Sequence, residues 1–284
     1  MLQTVSTPTP DRPVIMGVLN VTPDSFSDGG RFLEPAAALD HALRLQHEGA
    51  DIVDIGGEST RPGSRPISEE EELARVIPVV RALAGRSKIP ISIDTTKPRV
   101  AREAVAAGAG MINDVSCSRN GDALARIAAD SGVDLVIMHS RKSPADMQRE
   151  PAYEDLLGEV AGELLAAAER ARRAGVRAER IWLDPGIGFA KTAEQNVELI
   201  GRTRELAGLG YPLLVGPSRK SFIGAFTGAA ADDRLGGTAA AVAAAVLGGA
   251  RAIRVHDVAV MRQAAIVAHE IALGLARAAG GVDA

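Results

Sequence analysis

A single cysteine, Cys117, occurs in 284 residues. That excludes a disulfide framework and any zinc site built on four cysteines, and it suits a reducing compartment. Aromatic side chains are nearly as scarce, at five Phe, two Tyr and one Trp. Lysine accounts for only five of the 32 basic residues, leaving 27 arginines. A positive excess is missing too: 36 acids against 32 bases give a net charge of −4. Such a chain binds nucleic acid or an anionic membrane poorly without specific contacts. No apolar run reaches the roughly 20 residues that span a bilayer; the longest, over 238–250, is rich in Ala and Gly and reads as a buried helix. Residues 1–12 lack the basic start and apolar stretch of a signal peptide. They read as a flexible tail, and 280–284 as a frayed end, so a soluble cytoplasmic protein is expected.

What is present is a high apolar fraction, 46%, which excludes a disordered chain. An aliphatic core with few rings points to helices packed on a parallel sheet. Short β-branched runs recur at 14–20, 51–56, 89–94, 110–115, 134–139, 180–184, 211–216 and 251–256. Amphipathic segments alternate with them near 35–49, 68–84, 97–107, 121–131, 152–174, 193–208, 235–248 and 258–278. Ser68 and Pro98 are helix-start signals, and Glu69–Glu72 is a solvated first turn favoured by the helix dipole. Eight strands and eight helices with no linker predict one α/β domain over 13–279, a (β/α)8 TIM barrel. The alternative, an open doubly wound sheet, would want a Gly-rich phosphate loop after the first strand. The segment NVTPDSFSDGG (20–30) contains none.

In such a barrel, polar residues at strand C-termini form the catalytic face. Here every strand end carries some: Asn20; Glu58 to Arg61; Asp94; Asn113 and Asp114; His139; Asp184; Ser218 to Ser221; Arg254 and His256. Asp94 and Asp184 lie in otherwise apolar strands, where an unpaired charge would cost several kcal/mol, so each needs a cationic or hydrogen-bonding partner. Lys97, Lys142, Lys191 and Lys220 fall in loops beyond strand ends, as do Phe26, Phe32, Phe189, Phe222 and Phe226. Rings gathered at a barrel mouth predict a planar ligand. Trp182 sits inside a strand and reads as packing. Asn20, Arg61, Arg254 and His256 suit a phosphate or diphosphate with Mg²⁺, which takes few protein oxygens plus substrate phosphates.

NVTPDSFSDGG (20–30) and GGESTRPGS (56–64) are long, specific segments similar to the two signatures of the dihydropteroate synthases of the pterin-binding family. SIDT (92–95), INDV (112–115), DPGIGF (184–189), SRKS (218–221), GTAAA (237–241) and RVHD (254–257) follow in that family's order. The resemblance runs from about residue 13 to the last helix. It implies a (β/α)8 barrel that joins (7,8-dihydropterin-6-yl)methyl diphosphate to 4-aminobenzoate, giving 7,8-dihydropteroate and pyrophosphate. By motif, Asp94, Asn113, Asp184 and Lys220 would line the pterin pocket, and Asn20 would bind Mg²⁺. Thr60, Arg254 and His256 would hold the diphosphate. Phe26, Arg61, Pro62, Phe189 and Ser221 would shape the 4-aminobenzoate site, where sulfonamides compete. The catalytic set would be Asp94, Lys220, Arg254 and His256, in an SN1-like transfer. The resemblance also implies a homodimer, and the Ala-rich segment 235–248 with the last helix is the candidate face.

Two positions depart from the pattern. The segment after the fifth strand, MHSRKSPADMQ, lacks the usual second Met and Gly, and Ala190 stands where Gly is usual; Ala is a mild change there only if the position avoids positive φ. His41, His47 and His269 read as surface residues, and His139 as a hydrogen-bonding residue of the mouth or core. Cys117 has no activating base in the sequence pattern. The rivals are a non-catalytic pterin-binding paralogue and a methyltetrahydrofolate-dependent methyltransferase domain, which usually needs a separate corrinoid domain.

Overall fold

The computed structural model describes residues 12–22, 35–59, 64–117, 121–141 and 153–280. Eight strands form one parallel sheet: β1 (Val14–Asn20), β2 (Ile52–Gly56), β3 (Ile91–Asp94), β4 (Met111–Asp114), β5 (Asp134–Met138), β6 (Ile181–Asp184), β7 (Leu214–Val215) and β8 (Ala252–Val255). Their order is β6-β5-β4-β3-β2-β1-β8-β7, and a parallel bridge between Leu183 and Leu213 closes the ring. This is the (β/α)8 barrel, not the open sheet. β7 is short because Pro212 has no N–H to donate to a ladder; its carbonyl accepts instead from Leu183 N, at 3.0 Å.

The helices lie outside: α1 (Pro35–His47), α2 (Glu69–Arg86), α3 (Pro98–Ala107), α4 (Ala123–Ser131), α5 (Leu156–Arg173), α6 (Ala193–Gly201), α7 (Thr203–Ala207), α8 (Ser221–Thr227), α9 (Leu235–Leu247) and α10 (Val258–Gly280). Ser68 caps α2 as the sequence predicts, accepting from Glu71 N. Two elements differ from expectation. The helix predicted over 193–208 breaks at Arg202 into α6 and α7. The SRKS segment runs into the short α8, which stops where Gly228 turns left-handed. α10 is apolar and long enough to cross a membrane by length and composition, yet it packs on β1, β8 and α9 as the last barrel helix. Val260, Val267, Ile271, Leu273 and Leu275 on it are exposed.

Strand side chains alternate between the helix layer and the barrel interior. Val14, Met16, Ile52, Met111, Val136, Trp182, Leu214 and Ala252 form a separate apolar cluster drawn from the strands alone, the plug of the barrel. Two residues further along, roughly 6–7 Å nearer the C-terminal mouth, the same strand faces carry Asp54, Asn113, Met138, Asp184, Gly216 and Arg254. β3 joins this face in register, with Ser92 opposite Asp54 and Asp94 opposite Gly56 and Asn113. The interior thus changes from hydrocarbon to charge within one pleat.

Candidate active site

Above the plug opens a small cleft lined by Asn113, Val115, Met138, Asp184, Ile187, Phe189, Gly216, Lys220 and Arg254. Its floor is a chain of charged contacts. Arg254 donates from Nε to Asp54 Oδ2 at 2.6 Å and from Nη2 to Asp94 Oδ2 at 2.7 Å. Asn113 Nδ2 donates to the same Asp54 oxygen at 3.1 Å. That contact settles which way the amide faces, and it leaves Asn113 Oδ1 buried without a partner, as is Asp54 Oδ1. Buried acceptors without donors are costly in a protein alone and useful beside a ligand rich in N–H groups.

Asp184 is buried at the end of β6, with Oδ1 accepting from Gly186 N at 2.7 Å. Burial pushes its pKa up to about 6, opposed by that backbone bond and by Lys220. Gly186 has φ +67°, and a Cβ there would lie 2.0 Å from the His139 carbonyl oxygen, so only glycine fits this turn. Lys220 Nζ sits 4.1 Å from the centroid of the Phe189 ring and has no hydrogen-bonding side chain among the described residues. Burial, reinforced by Arg254, pulls its pKa down to about 8. Burial also raises Asp94 well above the usual carboxylate range; Arg254 opposes this, and Asp54 and Glu72 add to it.

At the rim, Ser218 Oγ accepts from His256 N at 3.2 Å and lies 3.0 Å from His256 Nδ1. Burial and the neighbouring Arg254, Arg219 and Lys220 lower the His256 pKa to about 3, so the ring is neutral at physiological pH. The SRKS turn is held from below by Thr238 Oγ1, which accepts from Arg219 N at 3.1 Å. Arg219 has φ +57° and pairs with Asp257 through two bonds.

Asn20 closes β1 half-buried, and its side chain has no hydrogen bond among the described residues. No cluster of three His, Cys, Asp or Glu residues able to hold a metal occurs among the described residues. One free amide oxygen fits Mg²⁺, which keeps most of its shell as water and substrate phosphate.

The structure therefore brings together Asp94, Asn113, Asp184, Phe189, Lys220 and Arg254, with His256 and Asn20 at strand ends nearby. Phe26, Thr60, Arg61 and Pro62, like Phe32 and Lys142, lie outside the described residues. Ser221 is exposed at the start of α8. Several expectations for the scarce residues need correcting. Phe222 is buried in the helix-side core and Phe226 is exposed, both on α8 and not in the cleft. Lys97 does lie just beyond β3, but it bonds to Glu58 at 2.6 Å and Glu72 at 2.5 Å and is not among the residues lining the cleft. His41 and His269 are half-buried, leaving only His47 on the surface as expected. Ala190 adopts φ +46°, so it does occupy a conformation that favours glycine. Sequence reasoning missed Asp54, although a carboxylate inside the apolar run DIVDIG is the same signal that marked Asp94 and Asp184.

The pterin binding enzyme family matches residues 16–256. A dihydropteroate synthase of Synechocystis sp. is 49% identical over 258 residues, 90% of this chain and 89% of that protein. The dihydropteroate synthase of Xanthomonas albilineans solved with 4-aminobenzoic acid superposes with a TM-score of 0.86 at 46% identity, covering 92% of this chain and 93% of that one. That enzyme has also been solved with 7,8-dihydropteroate. The Yersinia pestis dihydropteroate synthase, in complex with a sulfonamide drug, gives a TM-score of 0.86 at 42% identity, covering 92% of this chain and 94% of that one.

Proposed function

This chain belongs to the pterin-binding enzyme family, and from that premise we propose that it acts as a dihydropteroate synthase. It joins (7,8-dihydropterin-6-yl)methyl diphosphate to 4-aminobenzoate, yielding 7,8-dihydropteroate and pyrophosphate. One observation carries the reading: the buried acceptors Asp184 and Asn113 Oδ1 and the donor Lys220 converge on one cleft. A pterin is flat and presents amino and ring N–H donors on one edge and a carbonyl on the other. Asp184 and Asn113 accept from the donors, Lys220 donates to the carbonyl or a ring nitrogen, and Phe189 covers a face.

Transfer follows from charge placement. Mg²⁺, when bound with the diphosphate, supplies neutralisation of leaving-group charge, with Asn20 as its protein ligand. Arg254 faces the diphosphate as a cation already oriented by Asp54 and Asp94, and His256 offers a neutral imidazole rather than a charge. The departing C–O bond leaves a cation delocalised into the pterin ring, which the carboxylate of Asp94 stabilises. The aromatic amine then attacks and loses its proton to water. An arylamine is weakly basic, so positioning substitutes for a strong general base. Thr60, Phe26, Arg61, Pro62, Phe189 and Ser221 are assigned to the diphosphate and 4-aminobenzoate ends, and sulfonamides compete there. A cytoplasmic homodimer closed over the exposed apolar face of α10 completes the proposal.

The test is pyrophosphate release on mixing both substrates, with none from either alone. Pterin diphosphate binding without release would instead favour a non-catalytic paralogue. The relatives favour the synthase over the methyltransferase reading, since those at 42–49% identity are dihydropteroate synthases.

A further inference from the structure

We propose that Lys191 is a positioning residue for the pterin pocket, acting through the loop that carries Asp184 and Phe189 without touching substrate. The inference rests on the pterin-binding reading above. Lys191 is not among the residues lining the cleft. Its ammonium donates to the carbonyls of Gly186 and Phe189, each at 3.1 Å, and lies 3.1 Å from His139 Nδ1. An ammonium has three protons, and these are three acceptors.

The two carbonyls are the ends of the turn that shapes the pocket. Gly186 N holds Asp184 Oδ1, and Gly186 O also accepts from Phe189 N at 3.0 Å. The Phe189 ring in turn carries Lys220 Nζ. One cation therefore fixes, from behind, both the principal acceptor of the pocket and the ring beneath its principal donor. The third contact anchors this cation to the outer layer. A His139 ring that accepts at Nδ1 carries its proton on Nε2, which faces Glu163 Oε2 at 3.0 Å on α5. Arg141 donates to the other Glu163 oxygen at 2.8 Å from Nε, and its guanidinium stacks 4.2 Å from the Tyr153 ring centroid. Burial pulls Lys191 down to about 7, against the pull of Asp184 and Glu163. An apolar side chain would fill the same space without that desolvation cost.

Lys191→Met tests the role, with Kd for the pterin diphosphate, KM for both substrates and urea stability as readouts. The expected result is a pterin Kd weakened by roughly 10- to 100-fold, the range for groups that orient a binding residue from behind. KM for 4-aminobenzoate should stay within about twofold, and the loss should not add to that of Asp184→Asn, because both act on one acceptor. If the Met variant does not fold, Lys191→Arg keeps the charge but displaces its donors from the two carbonyls, and the same selective loss is expected. Unchanged pterin affinity in a folded variant overturns the proposal, as do equal losses for both substrates that add to Asp184→Asn. Pyrophosphate release by the unaltered chain separates the two readings: its absence defeats the proposed function, whereas its presence with normal pterin binding by the variant defeats only the role of Lys191.

Discussion

Asp184→Asn should make the protein more stable and the enzyme worse. The carboxylate is buried, and its pKa stands at about 6 in the fold against an ordinary 3.8. That difference corresponds to roughly 3 kcal/mol of destabilisation whenever the group is ionised. The sign follows from proton binding. The folded state holds the proton more tightly than the unfolded chain, so Asp184 favours the fold below 3.8 and loses that contribution as pH rises through about 6. Asparagine retains Oδ1 for Gly186 N and carries no charge. Urea unfolding at pH 8 should therefore show a gain approaching ~3 kcal/mol, with about half remaining at pH 5. Pterin affinity should fall together with that gain. Replacing a charged acceptor costs roughly 1.5–3 kcal/mol, or about 10- to 150-fold in Kd. A variant less stable than the parent at pH 8, or stabilised equally at both pH values, refutes the burial penalty. Unaltered pterin affinity refutes the acceptor role.

Other expectations follow from the same geometry. A pterin lacking the diphosphate should bind with a bell-shaped pH dependence, falling below about 6 as Asp184 protonates and above about 8 as Lys220 deprotonates; a titration flat from pH 5 to 9 would contradict both assignments. Lys220→Ala should weaken pterin binding, measured by calorimetry. Asp94→Asn, nearly isosteric, should lower kcat far more than pterin affinity, and unchanged turnover would remove its cation-stabilising role. Gly186→Ala places a methyl 2.0 Å from the His139 carbonyl at φ +67°, so thermal melting should reveal a loss of roughly 3 kcal/mol or more. Ala190→Gly should change stability by less than about 1 kcal/mol, because relief of φ strain is offset by a lost buried methyl and added chain freedom.

The barrel was legible in the sequence because eight apolar runs end in polar residues, and alternation along each run separates the plug from the mouth. That Asn113, Asp184 and Lys220 line one cleft, with Asp94 bound to Arg254 beside it, followed from those ends and the motif order. Pairing was hidden. Arg254 meets Asp54 across 200 residues of chain, and no spacing rule connects them. Lys191 and Lys97 share with Lys220 a place just beyond a strand, yet one turns to the carbonyls of Gly186 and Phe189 and the other to Glu58 and Glu72. A side chain's direction depends on the backbone of neighbours contributed by other strands. Phe222 was misread for a related reason: α8 is too short to show periodicity, so its buried face looked like loop.

The bridge between Leu183 and Leu213 has a mechanical consequence. β1 and β2 share a five-residue register, whereas β7 contributes two residues and meets β6 at one bridge. A hoop is stiff everywhere except at its clasp, and here Asp184 lies beside the clasp on one side while the Lys220 loop leaves from the other. The thinnest seam of the ring thus falls between Asp184 and the loop of Lys220, the two groups proposed to hold the pterin from opposite sides.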